Sequence, residues 1–133
     1  MSNPLDARYR VMKKLSVLLC IFLLSACAPS EVPSEKLVER NGIKYEINSQ
    51  TPFTGFSTVY YENGQLEKKV TYKDGVKNGL YENYYENGQS HYKHTFKDGK
   101  LHGLYEVHYR NGTEVYSPRC YQNGQEVDIS KCK

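Results

Sequence analysis

Asp74-Gly75-Val76-Lys77-Asn78-Gly79-Leu80-Tyr81-Glu82-Asn83-Tyr84-Tyr85-Glu86-Asn87-Gly88 places two Asx-Gly turn signals around one alternating segment, and 24 residues later the pattern returns as Asp98-Gly99 through Asn111-Gly112. An aromatic residue stands three positions before the glycine at six such turns, ending in Gly64, Gly75, Gly88, Gly99, Gly112 and Gly124. Gly55, Gly79 and Gly103 keep the same 24-residue spacing. A fixed period of this size marks a stacked repeat, in which each unit buries its apolar face only against its neighbours.

Asn-Gly and Asp-Gly between alternating segments are strong hairpin signals, because a type I′ turn needs two residues at positive φ and these pairs adopt it cheaply. No helical period survives more than one turn. The expected fold is all-β, a ladder of stacked antiparallel hairpins with seven or eight short strands and a turn role for every glycine. The units run from about 53 to 126 within a repeat domain spanning 37–133. Leu37 to Gln50, with Asn41-Gly42 and the alternating Ile43 to Ile47, reads as a hairpin capping the first unit.

Alternation assigns two faces. One carries Val59, Tyr61, Tyr81, Asn83, Tyr85, Tyr105, Val107 and Tyr109, joined by Leu66, Val70, Tyr72, Tyr92, His94 and Phe96 from the intervening strands. The other carries Glu62, Glu82, Glu86 and Glu106 with Tyr60, Tyr84 and His108, and Lys69, Lys73, Lys93 and Lys97 on the neighbouring strands. Acidic strands thus lie beside basic ones, a pairing worth a few tenths of a kcal/mol per cross-strand pair. Tyr60, Tyr84 and His108 form a column repeated every 24 residues and flanked by Glu82 and Glu106, the expected partner-binding residues. Exposed tyrosines suit an interface because each joins apolar area to a hydrogen-bonding tip.

Upstream of the repeats, Lys13-Lys14 precede the ten-residue apolar run Leu15 to Leu24, which ends in Leu24-Ser25-Ala26-Cys27. The run is shorter than the roughly 20 residues that span a bilayer and has the charged start and small-residue exit of an export signal, assigned to residues 1–26. Met12 reads as a more natural start than Met1. Leu-Ser-Ala-Cys resembles the lipobox of bacterial lipoproteins, making Cys27 the expected lipidation site and mature N-terminus. The competing reading is an ordinary cleaved signal followed by a chance cysteine. Ala28 follows where an inner-membrane retention signal would have Asp, so the expected address is the outer membrane, facing the periplasm. Ala28 to Lys36, with Pro29 and Pro33, reads as a flexible tether.

The export segment holds four basic groups and one acid, which leaves 14 of each in the mature chain. That neutrality removes the electrostatic case for nucleic acid or anionic lipid as a partner. Cys120 and Cys132 remain, and outside the cytoplasm such a pair is expected to form a disulfide.

Candidate chemistry is sparse. His91, His94, His102 and His108 occupy different columns of the repeat, and His91 and His94, an odd number of residues apart, are expected on opposite faces; no metal ladder is read. No serine or cysteine has a triad-like arrangement, and Ser90 beside His91 is adjacency only. No Gly-rich phosphate loop is present. Neither an enzyme nor a cofactor is expected.

Pro52-Phe53-Thr54-Gly55, the Tyr-Tyr-Glu-Asn-Gly runs at 60–64 and 84–88, and the Asp-Gly-x-x-x-Gly-Leu-Tyr joints at 74–81 and 98–105 together resemble the MORN-repeat-variant family, many of whose bacterial members are labelled YwqK-type antitoxins. The resemblance implies stacked hairpins without catalytic residues, and sequestration of a toxic protein. With a lipobox, such a target would act outside the cytoplasm. The alternative is a structural envelope lipoprotein whose sheet binds glycan, peptidoglycan or an assembly partner.

Overall fold

The computed structural model describes residues 29–112, 115 and 118–132. The expected signal segment and Cys27 lie outside them. Ten strands follow in chain order: β1 (Ser30–Pro33), β2 (Leu37–Arg40), β3 (Ile43–Glu46), β4 (Gly55–Tyr60), β5 (Leu66–Lys73), β6 (Val76–Tyr84), β7 (Ser90–Lys97), β8 (Lys100–Val107), β9 (Arg119–Gln122) and β10 (Gln125–Val127). Short 3-10 turns cover Ser34–Lys36 and Ile129–Cys132. Eight strands form one sheet in the order β1-β4-β5-β6-β7-β8-β9-β10, and β2 pairs with β3 in a separate hairpin.

The sheet is antiparallel except at its first edge, where β1 runs parallel to β4 with Ser30 opposite Gly55 and Val32 opposite Ser57. This corrects the tether reading for residues 30–36. Val32, only 8% exposed, packs with Phe53, Val70 and Tyr72 in the buried cluster, and Leu37 and Tyr81 lean on it. One valine, overlooked in a polar stretch, is enough to seat the strand. The β2–β3 hairpin then caps the first unit as its sequence suggests: the Lys44 N–H donates to the Gly75 carbonyl (2.9 Å) and the Phe53 N–H to the Lys44 carbonyl (2.9 Å).

The turns divide into two kinds, where the sequence suggested one. At Asp74-Gly75 and Asp98-Gly99 both residues have positive φ (50° and 77°, 49° and 79°), as a two-residue type I′ loop requires. At Asn63-Gly64 and Asn87-Gly88 only the glycine is left-handed (83° and 81°), and the loop closes instead through Gly64 N–H to the Tyr61 carbonyl (2.9 Å) and Gly88 N–H to the Tyr85 carbonyl (2.8 Å). Nor is every glycine a turn residue. Gly79 lies inside β6 at φ 111°, where the β5–β6 register shifts between Val70 and Tyr72, and a β-carbon there would come within 3.2 Å of the Thr71 side chain. Gly79 and Gly103 therefore mark bulges, while Gly55 opens β4 in register with Tyr72.

Each edge of the ribbon is stitched from unit to unit. Along the Asn-Gly edge the Tyr61 hydroxyl donates to the Tyr84 carbonyl (2.8 Å) and the Tyr85 hydroxyl to the His108 carbonyl (3.0 Å). Asn63 accepts the Gln65 N–H within its own turn (2.9 Å) and donates to the Glu86 carbonyl of the next (3.1 Å); Asn87 does the same with Gln89 (3.1 Å) and Arg110 (3.2 Å). Along the Asp-Gly edge the amides of Gly75, Gly99 and Gly124 donate to the carbonyls of Phe53, Lys77 and Leu101. Cys120, 1% exposed in β9, is joined to Cys132, which clips the last 3-10 turn onto the sheet. Closing a loop of 12 residues contributes on the order of 3 kcal/mol in the chain-entropy picture.

Two substitutions test this construction. Asn87→Asp keeps the acceptor for Gln89 but removes the donor to Arg110 and sets a carboxylate against that carbonyl, so it should lower unfolding free energy by about 1–2 kcal/mol in urea melts. Gly75→Ala drives a β-carbon into Ile43 and the Lys44 carbonyl, whereas Gly42→Ala, with nothing within 4 Å, carries only the left-handed penalty of about 1 kcal/mol. Gly75→Ala should therefore be clearly the more destabilising of the pair, and equal melting curves would contradict the docking of the hairpin.

Candidate interaction faces

Register across the strands turns each face into rows. On the aromatic face one row reads Ser57, Val70, Tyr81, His94, Tyr105, Arg119 across β4 to β9, and the next reads Val59, Lys68, Asn83, Tyr92, Val107. The rings lie against each other along the rows: Tyr81 on His94 at 4.5 Å and 13°, His94 on Tyr105 at 5.0 Å and 20°. The β5–β6 shift that places Gly79 also brings Lys77 opposite Tyr72, and its ammonium sits over the Phe96 ring at 5.0 Å. Lys68 and Lys77 were not assigned to this face from alternation; the structure adds them.

His91 joins it too, against the expectation that His91 and His94 point apart. A register shift between Asn83 and Tyr84 leaves His91 as the extra residue between Ser90 and Tyr92. Its ring stacks on Tyr85 at 4.2 Å, and its Nδ1 meets the Asn83 amide oxygen at 3.1 Å. A bulge resets side-chain parity, which strict alternation cannot anticipate. Burial lowers the His91 pKa from its ordinary value. His94 is more deeply placed, 8% exposed with its Nδ1 lacking a protein partner, and burial together with the nearby Lys77 ammonium pushes its pKa down to about 4. Tyr81 is raised far above the usual phenol range, first by burial and then by Tyr92.

On the opposite face the central row is Thr58, Lys69, Glu82, Lys93, Glu106, one residue per strand with charges alternating from β5 to β8. The Lys93 ammonium lies 3.5 Å from the Glu82 carboxylate, and the Lys69 ammonium sits 4.0 Å over the Phe56 ring. Beside this row stand the column residues. Tyr60, at the end of β4, is 53% exposed and donates from its hydroxyl to the Glu31 carboxylate on β1 (3.1 Å). Tyr84 ends β6, half-buried, its pKa raised by burial and then by the Glu82 charge. His108 follows β8, bridged to Val115, with its amide donating to the His91 carbonyl (2.7 Å). The backbone at Tyr84 and His108 is held by the tyrosine hydroxyls of the preceding unit, so the column has a fixed pitch of two strands, about 10 Å.

Among the described residues no group of three or more His, Cys, Asp or Glu side chains gathers as a metal site would need. What the described residues present is a single-layer β-repeat sheet with two ordered faces and shallow surfaces, the form of a scaffold for contact. Its sequence agrees: residues 55–74 and 77–98 match the model of the MORN repeat variant, so the chain carries MORN-variant repeats, as its turn and joint motifs suggested. No curated protein and no solved structure matches the chain.

The state of His94 can be read from pH. Its folded pKa lies below the free value of 6.5, so the unfolded chain binds the extra proton first; stability is full above pH 6.5 and is lost as pH falls toward 4. The loss should be about 3 kcal/mol. His94→Phe, which keeps a flat ring in the row, should lose distinctly less stability than wild type over that interval; parallel pH profiles would place the His94 ring in solvent.

Proposed function

We propose that the protein is a lipid-anchored, non-enzymatic protein-binding module that acts as an antitoxin or immunity protein against an effector outside the cytoplasm. Repeats of the MORN variant are generally non-catalytic binding modules, which supports the binding role and the absence of chemistry. The anchor is assigned to Cys27 by the lipobox, with the outer membrane facing the periplasm as the address. The binding face is the charged one, with Tyr60 and Tyr84 as anchors beside Glu82 and Glu106, and His108 at the far end of the column.

One observation carries the choice of face. The aromatic rows are occupied with themselves: Tyr81, His94 and Tyr105 stack face to face within the sheet, so their ring planes are not free to receive a ligand. A sugar stacks on an open ring plane, so this arrangement also counts against the rival reading of a glycan-binding envelope protein. On the charged face, by contrast, Tyr60 stands exposed beside a row of charges at fixed register. Apolar area with a hydroxyl tip, set next to a row of alternating charges, fits a protein surface whose charges follow the complementary order.

The test is co-expression with the periplasm-directed product of the neighbouring gene. Wild type should restore growth, and the Tyr60→Ala, Tyr84→Ala double variant should fail to do so while keeping its circular dichroism spectrum and melting within about 1 kcal/mol of wild type, since both side chains lie off the aromatic rows. A folded double variant that still protects would remove the charged face from the interaction. Absence of toxicity from the neighbour, together with retention of the protein on peptidoglycan sacculi, would favour the envelope reading.

A further inference from the structure

Position 42 breaks a rule that the other turn glycines keep. The amides of Gly64, Gly88 and Gly112 donate to the carbonyls of Tyr61, Tyr85 and Tyr109, and those of Gly75, Gly99 and Gly124 to the carbonyls of Phe53, Lys77 and Leu101. The Gly42 amide donates to no carbonyl among the described residues. Gly42 turns the β2–β3 hairpin outside the main sheet, exposed, with nothing within 4 Å of where a β-carbon would stand.

The residue before it is Asn41, and an Asn-Gly pair carries chemistry of its own. The carboxamide carbon lies within reach of the next residue's backbone nitrogen, and glycine has no side chain to bar the approach. Six such pairs occur, beginning at Asn41, Asn63, Asn78, Asn87, Asn111 and Asn123. Exposure does not separate them, since Asn63, Asn87 and Asn123 are exposed like Asn41. Hydrogen bonding does. At Asn63 and Asn87 both ends of the carboxamide are held, the oxygen by the Gln65 or Gln89 N–H and the nitrogen by the Glu86 or Arg110 carbonyl. Asn78 donates to the Asp98 carboxylate (3.2 Å), and its Gly79 sits in the ladder opposite Phe96. At Asn111 and Asn123 the glycine amide is held, in each case at 2.8 Å. Asn41, left-handed at φ 50°, has neither hold among the described residues. A two-stranded hairpin is also marginal alone, so its turn opens at less cost than one within the eight-stranded ladder.

We propose that Asn41 is a site of spontaneous deamidation, and that conversion to isoaspartate there unlatches the β2–β3 cap from the first unit. The Gly42 nitrogen gives its proton to water or hydroxide and attacks the Asn41 Cγ. The Cγ–Nδ2 bond breaks, ammonia leaves, and a succinimide ring closes. Water then adds to one of the two ring carbonyls. Opening at the main-chain carbonyl routes the chain through Cγ, which lengthens the two-residue loop by one backbone atom and leaves a carboxylate on Cα. Arg40 and Ile43 face each other across that loop. The extra atom disturbs their pairing, and with it the Lys44 amide on the Gly75 carbonyl (2.9 Å) and the Phe53 amide on the Lys44 carbonyl (2.9 Å).

The test ages the purified full chain in mildly alkaline buffer, folded and in denaturant with the disulfide intact. Peptide mass spectrometry then follows each Asn-Gly pair, with fragmentation that tells isoaspartate from aspartate. In denaturant the pairs should react alike. In the folded protein Asn41 should keep most of its unfolded rate while Asn63, Asn78, Asn87 and Asn123 slow by roughly tenfold, the rate equivalent of one hydrogen bond that must first break. Protection of Asn41 equal to that of Asn87 would overturn the proposal. So would a preference for Asn41 that persists in denaturant, since it would then belong to the sequence neighbours and not to the fold. The isoaspartate fraction, separated by charge, should exchange hydrogen several-fold faster at the Lys44 and Phe53 amides, and unchanged exchange there would overturn the unlatching. Asn41→Gln, whose longer side chain closes the ring far more slowly, should age without any change in those amides; the same loss of protection in the aged variant would place its cause elsewhere and overturn the role of position 41.

Discussion

Tyrosine hydroxyls and asparagine amides donated across unit boundaries hold this molecule in one shape. A sheet one layer thick has no second layer to bury against, and few of the described side chains fall below a tenth exposed: Val32, Phe53, Val70, Tyr72 and Cys120 among the apolar ones. Hydrophobic burial is therefore concentrated at the β1, β4 and β5 end, and the rest of the ribbon relies on register. Backbone ladders between β5 and β6 and between β7 and β8 set the stagger of one hairpin on the next. The Tyr61 and Tyr85 hydroxyls reinforce it by reaching the carbonyls of Tyr84 and His108, with the amides of Gly75, Gly99 and Gly124 performing the same function on the other edge.

That division explains a detail of the repeat. Asparagine occupies 63 and 87 while aspartate occupies 74 and 98. At the first pair the side chain must accept within its own turn and donate to the next unit, which an amide can do and an ionised carboxylate cannot. At the second pair the residue has only to tolerate a left-handed backbone, φ 50° and 49°, and aspartate suffices because the glycine amide makes the inter-unit bond. The two turn types are thus two solutions to one requirement, alternating because successive turns fall on opposite edges.

The repeat period, the hairpins, the two faces and the charge row were legible because each follows from spacing and parity alone. What escaped the sequence has a common physical origin. Glycines within strands look like glycines in turns, so Gly79 was indistinguishable from Gly75 until its register shift was seen. Bulges reset parity, so His91 crossed to the aromatic face and Lys77 moved onto the Phe96 ring. Val32 lay in a segment too polar for a core strand, and its pairing with β4 is a parallel contact from 25 residues away that no local pattern announces. Of the column residues, the positions of Tyr60 and Tyr84 followed from alternation, but not the reason they are held so regularly.

Regularity of this kind bears on how such a sheet can recognise anything. Among the described residues the single layer presents shallow, open surfaces, on which affinity would come from many modest contacts at fixed pitch. The Lys69, Glu82, Lys93, Glu106 row sums to no net charge, and within it the Glu82 and Lys93 side chains pair at 3.5 Å. Self-paired charges on a solvated surface contribute little net attraction, but their fixed order penalises a partner whose charges meet them out of phase. On the proposed binding face, attraction would then fall to the exposed ring of Tyr60 and the half-buried residues of its column, and selectivity to the row beside them. Binding strength and partner choice would thus reside in different residues of one face, and the unit-to-unit hydrogen bonds that fix the pitch of the ladder would also fix the spacing at which a partner is read.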